Sequence, residues 1–318
     1  MAIGDDHSLQ VGWLHRHLPR SSDLALEVAV LDIAQDFLLT HLEEHGIFRE
    51  FVVFKGGTVL RKLFAGAGGR FSTDLDLALR EMTEDREAVA GLIADASNVT
   101  LGPFSFEPSN HSGRWRIRVQ SEFGNPIPTI KLDVGPPCWL QPDERTFVEI
   151  STHERYGFEL PSLPCMSLEE ILAEKIARLA RTSTARDAYD LRWAATTHPH
   201  SGFDRDQVRR LAVLKVWVDN HGLADTWRPA IGPRPFVPGE WLSPRTGSWD
   251  SEEIGQLAHP PPSLTDLDAE VLRNYAWLAD LTEQELMFAR ADARDRGAIV
   301  EAVRNMPRSA IPDDANLY

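Results

Sequence analysis

Two aspartates separated by one residue, Asp74 and Asp76, stand in the run Thr73-Asp74-Leu75-Asp76-Leu77-Ala78-Leu79, where polar and apolar residues alternate. Alternation with period two predicts a strand, and positions two apart in a strand project from the same face. The two carboxylates are therefore expected side by side, with Leu75 and Leu77 turned into the core. Neighbouring carboxylates repel each other unless a cation lies between them. Magnesium takes hard oxygen ligands from one or two carboxylates and fills the rest of its shell with water and phosphate oxygens. That is the chemistry of phosphoryl and nucleotidyl transfer, in which the ion neutralises a triphosphate and sets it for in-line attack.

A second feature precedes these acids. Lys55-Gly56-Gly57-Thr58 follows the apolar run Phe51-Val52-Val53-Phe54 and opens a helix over 59–64. Glycines let a backbone approach a phosphate, and a helix start offers unpaired N–H groups. Thr58 and Ser72 add hydroxyls. Arg61, one turn further on, has the fork geometry for a phosphate. Taken alone, a Gly-Gly pair reads as a plain strand-turn-helix. Its position just ahead of the paired aspartates is what gives it functional weight.

A third carboxylate, Asp133, lies in Ile130-Lys131-Leu132-Asp133-Val134. If that strand runs beside 73–79, Asp133 joins the cluster as a metal ligand or as a general base for an incoming hydroxyl. Otherwise it is a strand-end aspartate facing water. Further along, Glu174, Arg178 and Arg181 line one helix face, and Lys175 sits among Leu172, Ile176 and Leu179. A lysine so placed snorkels from a half-buried face and neutralises phosphate charge. Asp187 and Asp190 lie one turn apart on the next helix. Arg181, Arg186 and Asp190 read better as interhelical salt bridges, whereas Lys175 and Asp187 read as a functional pair.

The elements that must carry these groups follow from periodicity. A long amphipathic helix is expected over 22–46, with Ser22 as N-cap and Gly46 past its end. Strands are expected over 51–54, 73–79, 114–120, 128–134 and 145–150, with a helix over 84–97. Pro161, Pro164 and Ser167 mark a boundary, and Ser167-x-x-Glu170 has the form of a capping box. Helices follow over 168–182, 185–196 and 204–221, and helical pattern resumes over 263–306. Between them, 228–262 is rich in proline and tryptophan and reads as an extended arm. Two domains are thus expected, 1–160 and 161–318.

Composition bounds the rest. The 318 residues are 42% hydrophobic, enough for a packed core. No apolar run reaches membrane-spanning length, and no secretory signal is visible at the N-terminus. Cys138 and Cys165 form no metal-type pattern and read as thiols of a reducing cytoplasm. The net charge of −15 leaves no overall basic footprint, so any RNA contact needs a local patch. Arg178, Arg181, Arg186, Arg192, Arg205, Arg209 and Arg210 are the expected members of that patch.

Together, Phe54-Lys55-Gly56-Gly57-Thr58-x-Leu60, Ser72-x-Asp74-Leu75-Asp76, Glu169-Glu170-x4-Lys175-x2-Arg178 and Arg186-Asp187-x2-Asp190 resemble the AbiEii/AbiGii toxin family of nucleotidyltransferases, which includes the MenT-type toxins. The resemblance covers residues 50 to 192. It implies an α+β fold, with a polymerase-β-like nucleotidyltransferase core of mixed sheet followed by a helical C-terminal region. It implies an NTP substrate, Mg2+ or Mn2+, a tRNA or other RNA acceptor whose capping stops translation, and a cognate antitoxin in the cytoplasm. By position, Lys55, Gly56, Gly57, Thr58, Arg61, Ser72 and Lys175 are expected at the nucleotide. Asp74, Asp76 and Asp133 are expected at the metal, and Asp74, Asp76, Lys175 and Asp187 in catalysis. A small molecule or protein hydroxyl as acceptor, and a catalytically idle binding module, are the competing expectations.

Overall fold

Alternating apolar residues assemble an eight-stranded mixed sheet in the computed structural model. Described are residues 3–19, 25–82, 84–124, 127, 129–182, 184–196, 202–221, 236, 241–242, 257 and 263–312. The strands are β1 Val52–Lys55, β2 Asp74–Leu79, β3 Val99–Leu101, β4 Phe104–His111, β5 Arg114–Ser121, β6 Ile130–Gly135, β7 Asp143–Thr146 and β8 Ser162–Cys165. Their spatial order is β3-β4-β5-β6-β2-β1-β8-β7. β2 runs parallel to β6 and β1 runs parallel to β8, and β1 pairs antiparallel with β2. The expected α+β class holds, but β3, β4 and β8 carry no sequence signal strong enough to announce them. The strand expected over 145–150 is instead Asp143–Thr146.

Two compact units divide the chain. The first comprises Met1–Cys138, Pro142–Cys165 and Gly255–Pro260 and holds the whole sheet; the second comprises Trp139–Gln141, Met166–Ile254 and Pro261–Tyr318. In the first unit, the helices are α1 Val11–His17, α2 Leu26–Glu44, α3 Ile47–Glu50, α4 Gly56–Val59 and α5 Arg86–Ala96. Ser22 lies outside the described residues, and Ala25 stands at the start of α2 without a side-chain cap. Gly46 takes φ 76° and turns the chain into the short helix α3, Ile47–Glu50. The expected amphipathic pattern fails for α2, because every residue from Ala29 to Leu42 is buried, Asp32, Gln35 and Asp36 included.

Those buried acids are held by ions from distant segments. Asp32 accepts from His17 at 2.6 Å, pairs with Lys62 at 2.7 Å and with Arg61 at 3.2 Å. Asp36 pairs with Lys62 at 2.7 Å and accepts from the Tyr156 hydroxyl at 2.6 Å. Burial by itself would raise the Asp32 carboxyl, but Lys62, Arg61 and His17 outweigh it and hold it well below the usual carboxylate range. Burial lowers His17.

The second unit is helical among its described residues. It contains α6 Leu168–Arg181, α7 Ala185–Thr196, α8 Arg205–His221, α9 Leu264–Asn274, α10 Glu283–Arg290 and α11 Arg296–Arg304. Ser167 caps α6 by accepting from Glu170 N, yet the return half of the expected capping box is missing. Glu170 instead accepts from the backbone of Trp139 and Leu140 and pairs with Lys215 at 2.9 Å. The 228–262 arm lies outside the described residues except for Phe236, Trp241, Leu242 and Leu257, of which Phe236, Trp241 and Leu257 are buried. Among the described residues, no helix is long and apolar enough to cross a membrane.

Candidate active site

The pleat of β2 buries Leu75 and Leu77 and turns Asp74 and Asp76 to the other face. Its neighbours are in register with both acids: Asp74 stands opposite Lys131 and Asp76 opposite Asp133 on β6, while Lys55 of β1 stands opposite Asp76. Asp74, Asp76, Lys55, Lys131 and Asp133 therefore share one face. Lys131 lies 3.8 Å from Asp74, whose side chain is 24% exposed. Lys55 reaches across β2, its Nζ 3.1 Å from where a β-carbon on Gly135 of β6 would stand.

Asp133 is adjacent to the dyad as the sequence allowed, but it is 62% exposed and pairs with Arg86 at 3.0 Å. Among the described residues no group of three metal-ligating side chains converges. The chemistry of the pair Asp74 and Asp76 would fit a Mg2+ that keeps waters and substrate phosphates in its remaining positions.

The glycine turn has a packing reason that the sequence alone does not show. Gly56 has φ +83°, and a β-carbon there would fall 2.1 Å from Asp76 Oδ2. At Gly57 a β-carbon would fall 2.0 Å from Nη2 of Arg70. The missing side chains make room for the Asp76 carboxylate and for a guanidinium that no motif in the sequence points to. Helix α4, Gly56–Val59, then runs into a π-helical stretch, Leu60–Ala65, and a 3-10 turn, Gly66–Gly68.

Three residues expected at the nucleotide are buried and bonded to the scaffold. Thr58 is fully buried and donates its hydroxyl to the Asp74 carbonyl at 2.5 Å. It fastens the acidic strand to the turn rather than facing a ligand. Arg61 is buried and spends its guanidinium on Asp32 and on the carbonyls of Gly66 and Gly69, at 2.6 and 2.9 Å. No fork remains for a phosphate. Ser72 is buried too; its carbonyl accepts from Gln35 at 2.9 Å and its hydroxyl accepts from Asp74 N at 3.4 Å. Arg61 and Gln35 thus tie the glycine loop and the approach to β2 onto α2.

Within the second unit, Lys175 is buried rather than snorkelling. It pairs with Asp187 at 2.9 Å and with Asp190 at 2.7 Å. Asp187 also pairs with Arg178 at 3.3 Å and accepts from Thr184 at 2.7 Å. Asp190, read as salt-bridge lacing, belongs to the same ion cluster as the pair singled out for function. The arginines expected to form an RNA-binding patch here are mostly engaged: Arg181 with Asp219 at 3.1 Å, Arg192 with Glu270, and Arg209 with Glu285 at 2.9 Å.

Residues 38–294 match a family model described as "Nucleotidyl transferase AbiEii toxin, Type IV TA system". Among solved structures, the chain is similar to MenT4, a nucleotidyltransferase toxin of Mycobacterium tuberculosis H37Rv. The two are 34% identical with a TM-score of 0.80, over 93% of this chain and 98% of that one. JHP933 from Helicobacter pylori is 16% identical, with a TM-score of 0.40 over 86% of this chain and 98% of that one. So remote a likeness carries no argument. No curated protein matches the chain at a significant level.

Proposed function

This chain belongs to the AbiEii family of nucleotidyl transferase toxins of type IV toxin–antitoxin systems, and from that premise we propose that it moves a nucleoside monophosphate from an NTP onto the 3′ hydroxyl of a tRNA. The observation that carries the reading is the pair Asp74 and Asp76, placed on one face of β2 by the pleat and flanked in register by Lys55 and Lys131. Mg2+ or Mn2+ held by this pair supplies charge neutralisation and orientation to the triphosphate.

The chain's own groups do the remaining work. Lys55, on the same face as Asp76, offsets negative charge on the phosphates. The acceptor oxygen attacks the α-phosphorus, a P–O bond forms, and the bond to the bridging oxygen breaks so that pyrophosphate leaves. Asp133, exposed and in register with Asp76, takes the hydroxyl proton. Lys175 and Asp187 keep the roles implied by family resemblance, phosphate contact and catalytic carboxylate. A cognate antitoxin follows from the type IV description.

Incubation with α-phosphate-labelled NTPs, Mg2+ and total RNA tests the reading. Label is expected in tRNA, and Asp76→Asn is expected to abolish it while leaving the thermal melt near that of the wild type. Label on a protein or small acceptor alone, or transfer that survives Asp76→Asn, would overturn it.

A further inference from the structure

Resting on the transferase reading, we propose that the exposed sheet face beside Asp74 is the track for the phosphodiester backbone of the RNA acceptor, carried by Arg114, Arg116 and Arg118 of β5 with Lys131 of β6. The register lays out one row across four strands: Asp74 on β2, Lys131 on β6, Arg116 on β5 and Ser109 on β4. Neighbouring strands are about 4.8 Å apart, so the Arg116 backbone stands about 10 Å from that of Asp74 with Lys131 between them. Arg114 and Arg118 flank Arg116 two residues away on either side and share its face. The same face carries a groove of about 440 Å3, whose walls include Ser109, His111, Arg116, Arg118, Gln120 and Thr129.

Charge points to the occupant. The chain as a whole carries −15, yet this face sets Lys55, Lys131, Arg114, Arg116 and Arg118 beside the acids Asp74, Asp76 and Asp133. Among the described residues, Arg114 and Arg116 have no carboxylate within ion-pair distance. Arg118 meets Glu107 at 3.8 Å, and Glu107 also accepts from Gln120. In the second unit, by contrast, Arg178, Arg181, Arg192 and Arg209 are each held by a carboxylate. Lys131 has Asp74 and Arg118 has Glu107, so it is Arg114 and Arg116, exposed cations in an acidic protein, that suit an anionic ligand. A linear, open row along a strand fits an extended polyanion better than a single phosphate, which needs enclosing donors. Phosphate contacts of this kind position a nucleic acid without reading its sequence. Here they would direct the acceptor terminus toward Asp74 and Asp76.

The test compares wild type with the double variant Arg114→Gln/Arg116→Gln, whose side chains are exposed and meet no carboxylate among the described residues. Unfractionated tRNA is the probe, both for binding at several salt concentrations and for transfer of labelled nucleotide. Removing one cation from a phosphate flattens the plot of log affinity against log salt by about 0.7 for single strands and about 0.9 for duplex. The double variant is therefore expected to be shallower by about 1.4 to 1.8, with KM for tRNA raised about tenfold and KM for NTP unchanged. A control, Arg49→Gln/Arg294→Gln, removes equal charge from exposed positions elsewhere and is expected to change neither. An unchanged slope and tRNA KM in the double variant would overturn the track while leaving the transferase reading intact. The same holds if the variant loses only binding to an acidic protein. If the wild type labels no RNA, the transferase-on-RNA reading fails by itself, whatever the variant does.

Discussion

Replacing Gly56 by alanine perturbs the acidic pair without touching a carboxylate. Gly56 has φ +83°, a region that costs an L residue about 1–2 kcal/mol. Space adds a second penalty, because the new β-carbon would stand 2.1 Å from Asp76 Oδ2, 2.7 Å from Asp76 Cβ and 2.8 Å from Cγ. Ordinary contacts require more than about 3 Å, so the carboxylate has to retreat by about 1 Å. A shift of that size at a group that orients the reacting atoms costs on the order of 100-fold in rate, or about 2.7 kcal/mol of barrier. Gly56→Ala is therefore expected to melt about 3–6 °C lower and to transfer nucleotide about 100-fold more slowly. Gly57→Ala is the internal contrast. Its clash is with the end of the Arg70 side chain, and its φ is not positive, so its loss of rate is expected to be smaller. Thermal melts paired with initial-rate transfer assays on both variants decide the matter. Wild-type transfer by Gly56→Ala, with its melt lowered as expected, would show that Asp76 is not where the metal is held.

Two further predictions concern the buried ions. Lys62→Met leaves Asp32 and Asp36 without the cation that each meets at 2.7 Å, which costs about 3–5 kcal/mol; a urea midpoint equal to that of the wild type would contradict it. Asp219 in the second unit is pushed up to about 6 by burial, against the pull of Arg181 and Lys215. The folded protein then binds this proton more tightly than the unfolded chain, whose aspartates titrate near about 3.9. Stability of the wild type relative to Asp219→Asn is thus expected to fall by about 2–3 kcal/mol as pH rises from about 4 to 6, then to level off. Denaturant titrations of both proteins at four pH values test this, and a difference that does not vary with pH rules it out.

The features legible in the sequence are local ones. Period-two alternation in β2 placed Asp74 and Asp76 on one face, and the same pattern in β6 placed Lys131 and Asp133 together. Helical periodicity marked α6, α7 and α8 closely. What escaped were interactions between residues far apart in the chain. The helix over 22–46 reads as amphipathic, yet its Asp32 and Asp36 are buried, because Arg61, Lys62, His17 and Tyr156 are brought to them only by the fold. Glu170 looked like half of a capping box, yet its carboxylate serves the backbone of Trp139 and Leu140 from a segment 30 residues away. Arg61 and Thr58 looked like ligand contacts because their residue types suit phosphate. Burial, which no spacing reveals, commits both to the scaffold.

Those commitments link stability to chemistry by a physical chain. Asp32 on α2 fixes Arg61; Arg61 holds the carbonyls of Gly66 and Gly69; and the loop so held delivers Arg70 onto Gly57 and leads into Ser72 and Asp74. Gln35 grips the Ser72 carbonyl from the same helix, and Thr58 closes the circuit by bonding the Asp74 carbonyl. The acidic pair is therefore positioned from behind by a buried ion network rather than by its own surface neighbours. Buried ions add little net stability over an apolar replacement of the same shape. What they supply here is direction, since a guanidinium bonded to two loop carbonyls fixes where that loop runs in a way that no leucine could.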